Sequence, residues 1–333
     1  MRIHSSAPTR IDLAGGTLDI WPLYLYHSNA QTLNAAITIR AVCEITDFDG
    51  NGIEVISEDT QFKREYSNWS ELAKSETPDL LKQTLCHFEA KGLKIVTRSQ
   101  SPVGAGLAGS SAMCIAICGA LSKWSKQELS MNELMTLSMN LEAKVLGIPP
   151  GLQDYRPAVY GGIASLELTT TGVHRVSLSA DPAELSKRLV LIYTGQSRNS
   201  GINNWEVTKK RIDGDLHVTN CFNLIRDASL NLRSALELQD WNKVGQYISE
   251  EWEIRKQLAP SVTTNRIDKL IKCGRDAGAF ATKACGAGGG GCIMFLTEPA
   301  NVSQLTNVLR SQEAHILKAE IDSEGLKIKS YRS

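Results

Sequence analysis

A glycine-rich loop constrains the fold of this chain more than any other feature. Residues 101–112 read SPVGAGLAGSSA, and the apolar run Ala112–Leu121 predicts a buried helix directly after it. Gly104, Gly106 and Gly109 are expected to take positive φ angles and to let the backbone approach a ligand. Free N–H groups and the positive end of the helix macrodipole converge at such a junction, which suits a phosphate. The sequence therefore predicts a phosphate-binding loop.

The same glycine spacing fits three other interpretations. Gly104, Gly106 and Gly109 match the dinucleotide fingerprint, and a strand-like stretch precedes them. That fold also needs a second strand ending in an acidic residue, but the residues before Glu128, SKWSKQ, are polar. A Walker loop needs a lysine, and none follows Gly109. A purely structural glycine turn is the third alternative.

Composition narrows the class of protein. A chain of 333 residues that is 42% apolar predicts two domains. Thirty-six basic and 36 acidic residues balance, so we expect no nucleic-acid partner. No apolar run approaches ~18 residues and the N-terminus lacks a signal core, so we expect no membrane partner and a cytoplasmic location. Eight scattered cysteines without a C-x-x-C pair indicate buried free thiols rather than zinc ligands.

Strand-like and helical segments follow one another without strict alternation, which is typical of an α+β fold. The polar stretch Ser179–Lys187 predicts a boundary between an N-terminal domain of residues 1–178 and a C-terminal domain of residues 179–333. The predicted strands are Thr38–Thr46, Ile53–Ser57, Leu93–Arg98, Ile163–Leu168, Val173–Leu178, Leu189–Thr194, Phe280–Lys283, Cys292–Thr297 and Ile316–Ile321. The predicted helices are Pro78–Lys91, Ser110–Lys123, Asn132–Leu146, Thr219–Leu238, Trp241–Leu258 and Asn265–Ala277, with another from Pro299.

A second cluster lies at Pro8–Asp19, which reads PTRIDLAGGTLD. Its two adjacent glycines indicate a tight bend. The planar guanidinium of Arg10 suits a phosphoryl oxygen, and the carboxylate of Asp19 suits the hydroxyls of a polyol. A strand, a turn and ordinary surface charges form the alternative interpretation.

Two carboxylates downstream suggest a metal ligand and a base. Glu142 lies on an otherwise apolar helix face, where a carboxylate is costly unless it is paired or bound to a cation. Magnesium beside bound phosphates would remove that cost, because Mg²⁺ prefers one or two carboxylates plus phosphate and water. Asp154 follows in a glycine-rich loop and is then the candidate base for a substrate hydroxyl. A solvated or salt-bridged Glu142 is the alternative.

The last cluster, Lys283–Cys292, reads KACGAGGGGC. Four consecutive glycines cost backbone entropy, and they make sense where another backbone or a ligand approaches closely. A flexible linker is the alternative. The flanking segments look like core strands, so we expect a rigid packing or binding loop.

In chain order, three of these clusters resemble the three motifs of the GHMP kinase superfamily, which includes galactokinases, homoserine kinases, mevalonate kinases and phosphomevalonate kinases. The first motif matches Pro8–Asp19, the second Pro102–Ala112 and the third Lys283–Cys292. The resemblance spans almost the whole chain, although Ala108 intervenes where many members read Gly-Leu-Gly-Ser-Ser. RIDLAGGTLD and GLQD followed by YGG resemble the branch that holds fucokinase and D-glycero-D-manno-heptose 7-phosphate kinase. The Gly-Glu-His of galactokinases is replaced by Ala14, Gly15 and Gly16.

The resemblance implies a two-domain fold, with an N-terminal half related to ribosomal protein S5 domain 2, a ferredoxin-like C-terminal half and the active site between them. It also implies ATP and Mg²⁺, with Ser110 and Glu142 at the metal. Asp154 matches the catalytic aspartate and Arg10 the basic residue of the first motif. The residues implied to bind ATP are Pro102, Gly104, Gly106, Leu107, Ala108, Gly109, Ser110 and Ser111. Those implied at the substrate are Gly16, Thr17, Asp19, Gly288 and Arg198. Arg198, together with Arg156, is expected to hold a phosphate group of the substrate.

Together these features predict transfer of the γ-phosphoryl group of ATP to a hydroxyl of a sugar or sugar phosphate, by a monomer or homodimer. Two alternatives share the fold. A mevalonate-pathway kinase or decarboxylase would need basic residues for a carboxylate substrate. A non-catalytic nucleotide-binding regulator is disfavoured because Asp154, Glu142 and Arg10 are all present.

Overall fold

The computed structural model describes residues 1–197 and 200–331. For residues 200–203 it describes the backbone alone. Its central element is an antiparallel pair formed by β1 (Arg2–Ala14) and β2 (Gln31–Asp47). The register has irregularities after Pro8 and after Asp12. Such irregularities bend a strand, and the second comes directly before the predicted glycine bend. Residues 5–14 of β1 are buried on both faces, so the strand lacks the alternation that marks a half-exposed strand.

The first sheet is built around these two strands. It also contains β3 (Ile53–Ser57), β4 (Phe62–Tyr66), β5 (Leu93–Ser99), β6 (Ile163–Thr169), β7 (Gly172–Ser177) and, from the end of the chain, β12 (Lys327–Tyr331). The strand order is β12-β1-β2-β5-β3-β4, and β6 and β7 continue from the first half of β2. Strand β3 pairs with β5 in parallel, and the other described pairs are antiparallel.

Helices carry the glycine loop and the carboxylates against this sheet. They are α1 (Trp69–Ala73), α2 (Asp79–His87), α3 (Gly109–Trp124), α4 (Met131–Leu146) and α5 (Arg156–Tyr160). Helix α3 packs across β1 and β2 and is buried from Ser111 to Ser122, as expected of a helix that is apolar on all faces. A capping box of Ser130 and Glu133 begins α4, and Gly147 ends it in the left-handed conformation.

The second sheet has the order β11-β8-β10-β9 and is antiparallel among its described strands. Its strands are β8 (Leu189–Tyr193), β9 (Ala279–Ala284), β10 (Cys292–Thr297) and β11 (His315–Leu317). The accompanying helices are α6 (Pro182–Arg188), α7 (Ser200–Ile212), α8 (Leu216–Glu237), α9 (Trp241–Arg255), α10 (Asn265–Asp276) and α11 (Val302–Ser311). One apolar core joins the two sheets, because Ile11 and Leu13 of β1 pack in the same cluster as Met294 and Leu296 of β10.

The α+β class is confirmed, and β3 and β10 lie at their predicted bounds. Strand β2 begins seven residues earlier than predicted, and β4 and α1 were not predicted. The polar stretch proposed as a boundary forms α6, and β12 returns the end of the chain to the first sheet. The division into a domain of residues 1–178 and a domain of residues 179–333 remains a prediction. Among the described residues, no helix is long and apolar enough to cross a lipid bilayer.

Candidate functional site

Two cavities meet at Asp154. The larger one, of about 430 Å³, runs along the glycine loop from an apolar end that includes Leu81 and Met113. The smaller one, of about 60 Å³, lies behind the glycine bend of the first motif and is lined mainly by polar groups. Arg10 and Asp154 line both cavities. The loop motif and the first motif therefore share one site, although some ninety residues separate them.

The glycine loop leaves helix amides available for an anion. Gly104, Gly106 and Ala108 take φ angles of 68°, 77° and 59°, so Ala108 adopts a left-handed conformation that favours glycine. The prediction that Gly109 takes a positive φ is wrong: it begins α3, and a Cβ there would lie 3.2 Å from Ser101. No described side chain caps this helix, and its first residues, Gly109, Ser110 and Ser111, line the larger cavity, so its first N–H groups and the positive end of its macrodipole are available to an anion there.

The glycine run near the C-terminus holds the first loop in place. A Cβ at Gly291 would lie 2.6 Å from the carbonyl oxygen of Ala105, and the amide of Cys292 donates to that oxygen at 2.8 Å. Glycines 288–291 all have positive φ. The run is thus a packing loop between fixed strands and not a linker. Gly288 packs against the carbonyl of Val262. Its neighbours Gly286 and Ala287 line the smaller cavity. The contact of Gly288 with a substrate therefore remains a prediction.

A buried ion pair joins the first motif to the loop after α4. The guanidinium of Arg10 donates to Oδ1 of Asp154 from Nε at 3.0 Å and from Nη2 at 2.5 Å, and Nη1 donates to the carbonyl of Gly106 at 2.7 Å. Arg10 is buried whereas the Asp154 side chain is 22% exposed. Burial alone lowers the pKa of Arg10, but the charges of Asp154 and Asp12 outweigh it and raise the pKa above its ordinary value. Arg10 therefore stays charged and fixes Asp154.

Glu142 is a buried carboxylate on α4 that faces Ser110 and Ser111 at the start of α3. It is 3% exposed, and Tyr155 donates its hydroxyl to Oε2 at 2.6 Å. Burial raises the pKa of Glu142, while hydrogen bonds from Ser110, Tyr155 and Ser111 oppose the shift. Glu142, Ser110 and Ser111 all line the larger cavity, and their oxygens could join phosphate and water around a Mg²⁺ ion. The role of Tyr155 was not predicted from the sequence, because an aromatic residue after Asp154 is typical of an ordinary core position.

Asp19 lies in the smaller cavity, close to Asp154. It is 1% exposed and accepts the amide of Gln153 at 2.8 Å. Burial, followed by the charge of Asp154, raises the pKa of Asp19 to about 7. The predicted substrate residues Gly16 and Thr17 line the same cavity, and Thr17 has a φ of 75°. The structure thus brings three of the five predicted substrate residues together.

The two arginines predicted to hold a phosphate of the substrate have different outcomes. Arg198 lies outside the described residues. Arg156 donates to the carbonyl of Leu152 at 2.8 Å and so supports the short turn that carries Asp154. Burial lowers the pKa of Arg156.

A charge cluster that the sequence analysis missed lies behind the smaller cavity. The Nζ of Lys283 is 3.2 Å from Oδ2 of Asp12 and 2.9 Å from Oε2 of Glu251, and Arg255 pairs with Glu251 through Nε at 2.9 Å. All four side chains are at most 2% exposed. Arg255 also donates to the carbonyl of Gly16 at 2.8 Å. The spacing of Glu251 and Arg255, four residues apart in α9, was the available signal.

Two family models match this chain: the GHMP kinases N-terminal domain over residues 76–162 and the GHMP kinases C-terminal model over residues 232–315. Together they cover about half of the chain and include the glycine loop, Asp154 and the second glycine run. The chain belongs to the GHMP kinase superfamily. Within this GHMP kinase the first motif, with Arg10 and Asp19, lies before both matched regions.

Relatives of this GHMP kinase include sugar kinases and mevalonate kinases. It is 28% identical to the D-glycero-alpha-D-manno-heptose 7-phosphate kinase of Campylobacter jejuni over 98% of both chains. It is 25% identical to the mevalonate kinase of Thermococcus sibiricus, again over 98% of both. A crystal structure of a D-glycero-D-manno-heptose 1-phosphate kinase from Bacteroides thetaiotaomicron superposes with a TM-score of 0.80 and 26% identity, covering 99% of this chain and 100% of that one.

Proposed function

We propose that this GHMP kinase transfers the γ-phosphoryl group of ATP to a hydroxyl of a sugar or sugar phosphate, of the heptose phosphate or fucose kind. The observation that carries the proposal is the position of the Arg10–Asp154 ion pair between an anion-binding loop and a small polar cavity. The scattered cysteines, without a C-x-x-C pair, fit a reducing compartment, so we propose a cytoplasmic location.

The larger cavity is the proposed ATP site. Its apolar end suits a base, and the uncapped start of α3 suits phosphate oxygens. Glu142 and Ser110 are the proposed Mg²⁺ ligands, since a buried carboxylate in a cavity gains most from a cation. When bound, Mg²⁺ neutralises charge on the transferring phosphoryl group.

Asp154 orients the acceptor hydroxyl and accepts its proton. The hydroxyl oxygen forms a bond to the γ-phosphorus while the bond from that phosphorus to the leaving oxygen of ADP breaks, and the hydroxyl proton passes to Asp154. Arg10 occupies Oδ1 of Asp154, so we assign Oδ2 as the proton acceptor. A loose transition state depends mainly on positioning and charge neutralisation. Arg10 supplies part of that neutralisation.

The smaller cavity favours a polyol over the alternatives. Among its described lining residues, Asp12, Asp19 and Asp154 are carboxylates, and Arg10 and Arg255 already hold carboxylate partners. Hydroxyl donors match such a surface, whereas an anionic group, whether the carboxylate of mevalonate or the phosphate of a sugar phosphate, would face like charges inside it. A non-catalytic regulator would have no use for an aspartate held beside the phosphate loop.

An ATP-consumption assay with an acceptor panel tests the proposal. The panel holds D-glycero-D-manno-heptose 7-phosphate, heptose 1-phosphate, L-fucose, D-mannose, mevalonate, phosphomevalonate and homoserine. We expect ADP release that depends on one of the sugars. Release with mevalonate or phosphomevalonate alone would reject the sugar assignment, and MgATP binding without turnover of any acceptor would favour the regulator.

A further inference from the structure

Two residues of the smaller cavity carry buried oxygen atoms that have no hydrogen-bond partner among the described residues. These atoms are both carboxylate oxygens of Asp12 and Oε1 of Gln153. Asp12 is fully buried and Gln153 is 4% exposed, and both line the cavity that holds Asp19. A buried acceptor without a donor destabilises the folded chain, so such groups mark places where a ligand supplies the donor.

The two side chains converge over Gly16. A Cβ built on Gly16 would lie 2.4 Å from Oδ2 of Asp12 and 3.0 Å from Nε2 of Gln153. The missing side chain at this position therefore gives Asp12 and Gln153 their place in the cavity wall. Glycine is needed at this point for space and not for backbone conformation, because Gly16, unlike Gly15, has no positive φ.

Neighbouring cations keep Asp12 ionised and occupy only one of its oxygens. Burial raises the pKa of Asp12, but the charges of Lys283, Arg255 and Arg10 outweigh it and hold the pKa below its ordinary value. Lys283 and Arg255 both approach Oδ2, at 3.2 and 3.9 Å. Oδ1 is thus a charged acceptor that no described cation covers.

We propose that Asp12 and Gln153 are specificity-determining residues that accept hydrogen bonds from two hydroxyls of the acceptor sugar. This inference rests on the proposed function and narrows it: the acceptor presents at least two hydroxyl donors besides the hydroxyl that is phosphorylated.

The test combines side-chain truncation with substrate truncation. Heptose 7-phosphate and its monodeoxy analogues are assayed with wild-type enzyme, Asp12→Ala and Gln153→Ala. A hydrogen bond to a charged group contributes ~1.5–3 kcal/mol, so Asp12→Ala should lower kcat/KM for the full sugar about 10- to 100-fold. That penalty should nearly vanish with one analogue, the one lacking the hydroxyl bound by Asp12. Gln153→Ala should single out a different analogue.

A matched control is Asp322→Asn, which alters a buried, Arg40-paired carboxylate outside both cavities. It should change stability without changing the ranking of the analogues. Equal penalties across every analogue for both cavity variants would overturn the inference while leaving the sugar-kinase function intact. A wild-type enzyme that phosphorylates no sugar would overturn both.

A second measurement covers the case in which Asp12→Ala does not fold. Lys283 and Arg255 keep Glu251 as a partner in that variant, which limits the damage. If the variant is nonetheless unfolded, a crystal structure of wild-type enzyme with heptose 7-phosphate and a non-hydrolysable ATP analogue shows whether Asp12 binds a sugar hydroxyl. A sugar hydroxyl within hydrogen-bond reach of Oδ1 of Asp12, at about 2.5–3.0 Å, supports the inference, and water or protein alone at that oxygen overturns it.

Discussion

Arg10 places two of its N–H groups on a single oxygen of Asp154, at 3.0 and 2.5 Å. The pair links residues that are 144 positions apart. Its third contact, to the carbonyl of Gly106, ties it to the phosphate loop. One guanidinium thus sets the distance between the anion-binding loop and the proposed base, which is the relationship that phosphoryl transfer requires.

Asp154→Asn should lower kcat by about 10²-fold or more, because an amide cannot accept the hydroxyl proton. MgATP affinity should hardly change, since Asp154 is not part of the glycine loop. Steady-state kinetics and calorimetry measure the two quantities, with Asp240→Asn, at the beginning of α9, as a control distant from both cavities. Wild-type turnover in Asp154→Asn would show that positioning by other groups suffices.

Gly106→Val should weaken ATP binding severely. Gly106 has a φ of 77°, a conformation that a β-branched residue resists, and the new side chain would occupy the larger cavity. Calorimetry on variant protein with a native circular dichroism spectrum measures the effect. Undiminished affinity would exclude this loop as the phosphate site.

Part of this site could be predicted from the sequence alone. The loop, the two motifs around Arg10 and Asp154, and the buried Glu142 could be predicted, because glycine runs and a carboxylate on an apolar face are local signals. The contacts of Tyr155 with Glu142 and of Lys283 with Glu251 could not, because they depend on strands and helices that meet only in the fold. Strand β1 was obscured for a related reason: burial on both faces removes the alternation that identifies a strand.

Glu142→Gln should raise the magnesium concentration needed for half-maximal activity, since a neutral amide is a poorer Mg²⁺ ligand than a carboxylate. Tyr155→Phe is the matched control, because it removes the hydrogen bond at Oε2 and leaves the charge. It should shift the magnesium titration much less. An unchanged titration in Glu142→Gln would give the residue a structural role only.

Asp19 should make the protein less stable as the pH rises. Its pKa is raised from 3.8 to about 7 in the folded state, so between these values the folded chain holds a proton that the unfolded chain has released. Stability from this group is therefore fully present below the unfolded pKa and is lost as the pH rises through the folded pKa. Urea unfolding across this range should show a falling midpoint, and Asp19→Asn should flatten the curve. The same slope in both proteins would contradict this assignment.

The most direct test compares kcat/KM for heptose 7-phosphate and for mevalonate in wild-type enzyme and in Asp19→Ala. Because a site built for hydroxyls discriminates by as much as ~10⁴-fold, we expect wild-type enzyme to prefer the sugar by a large factor. Asp19→Ala should lose most of that preference while ATP affinity stays the same. A wild-type enzyme that turns over mevalonate and ignores the sugar would contradict the account of the acceptor cavity.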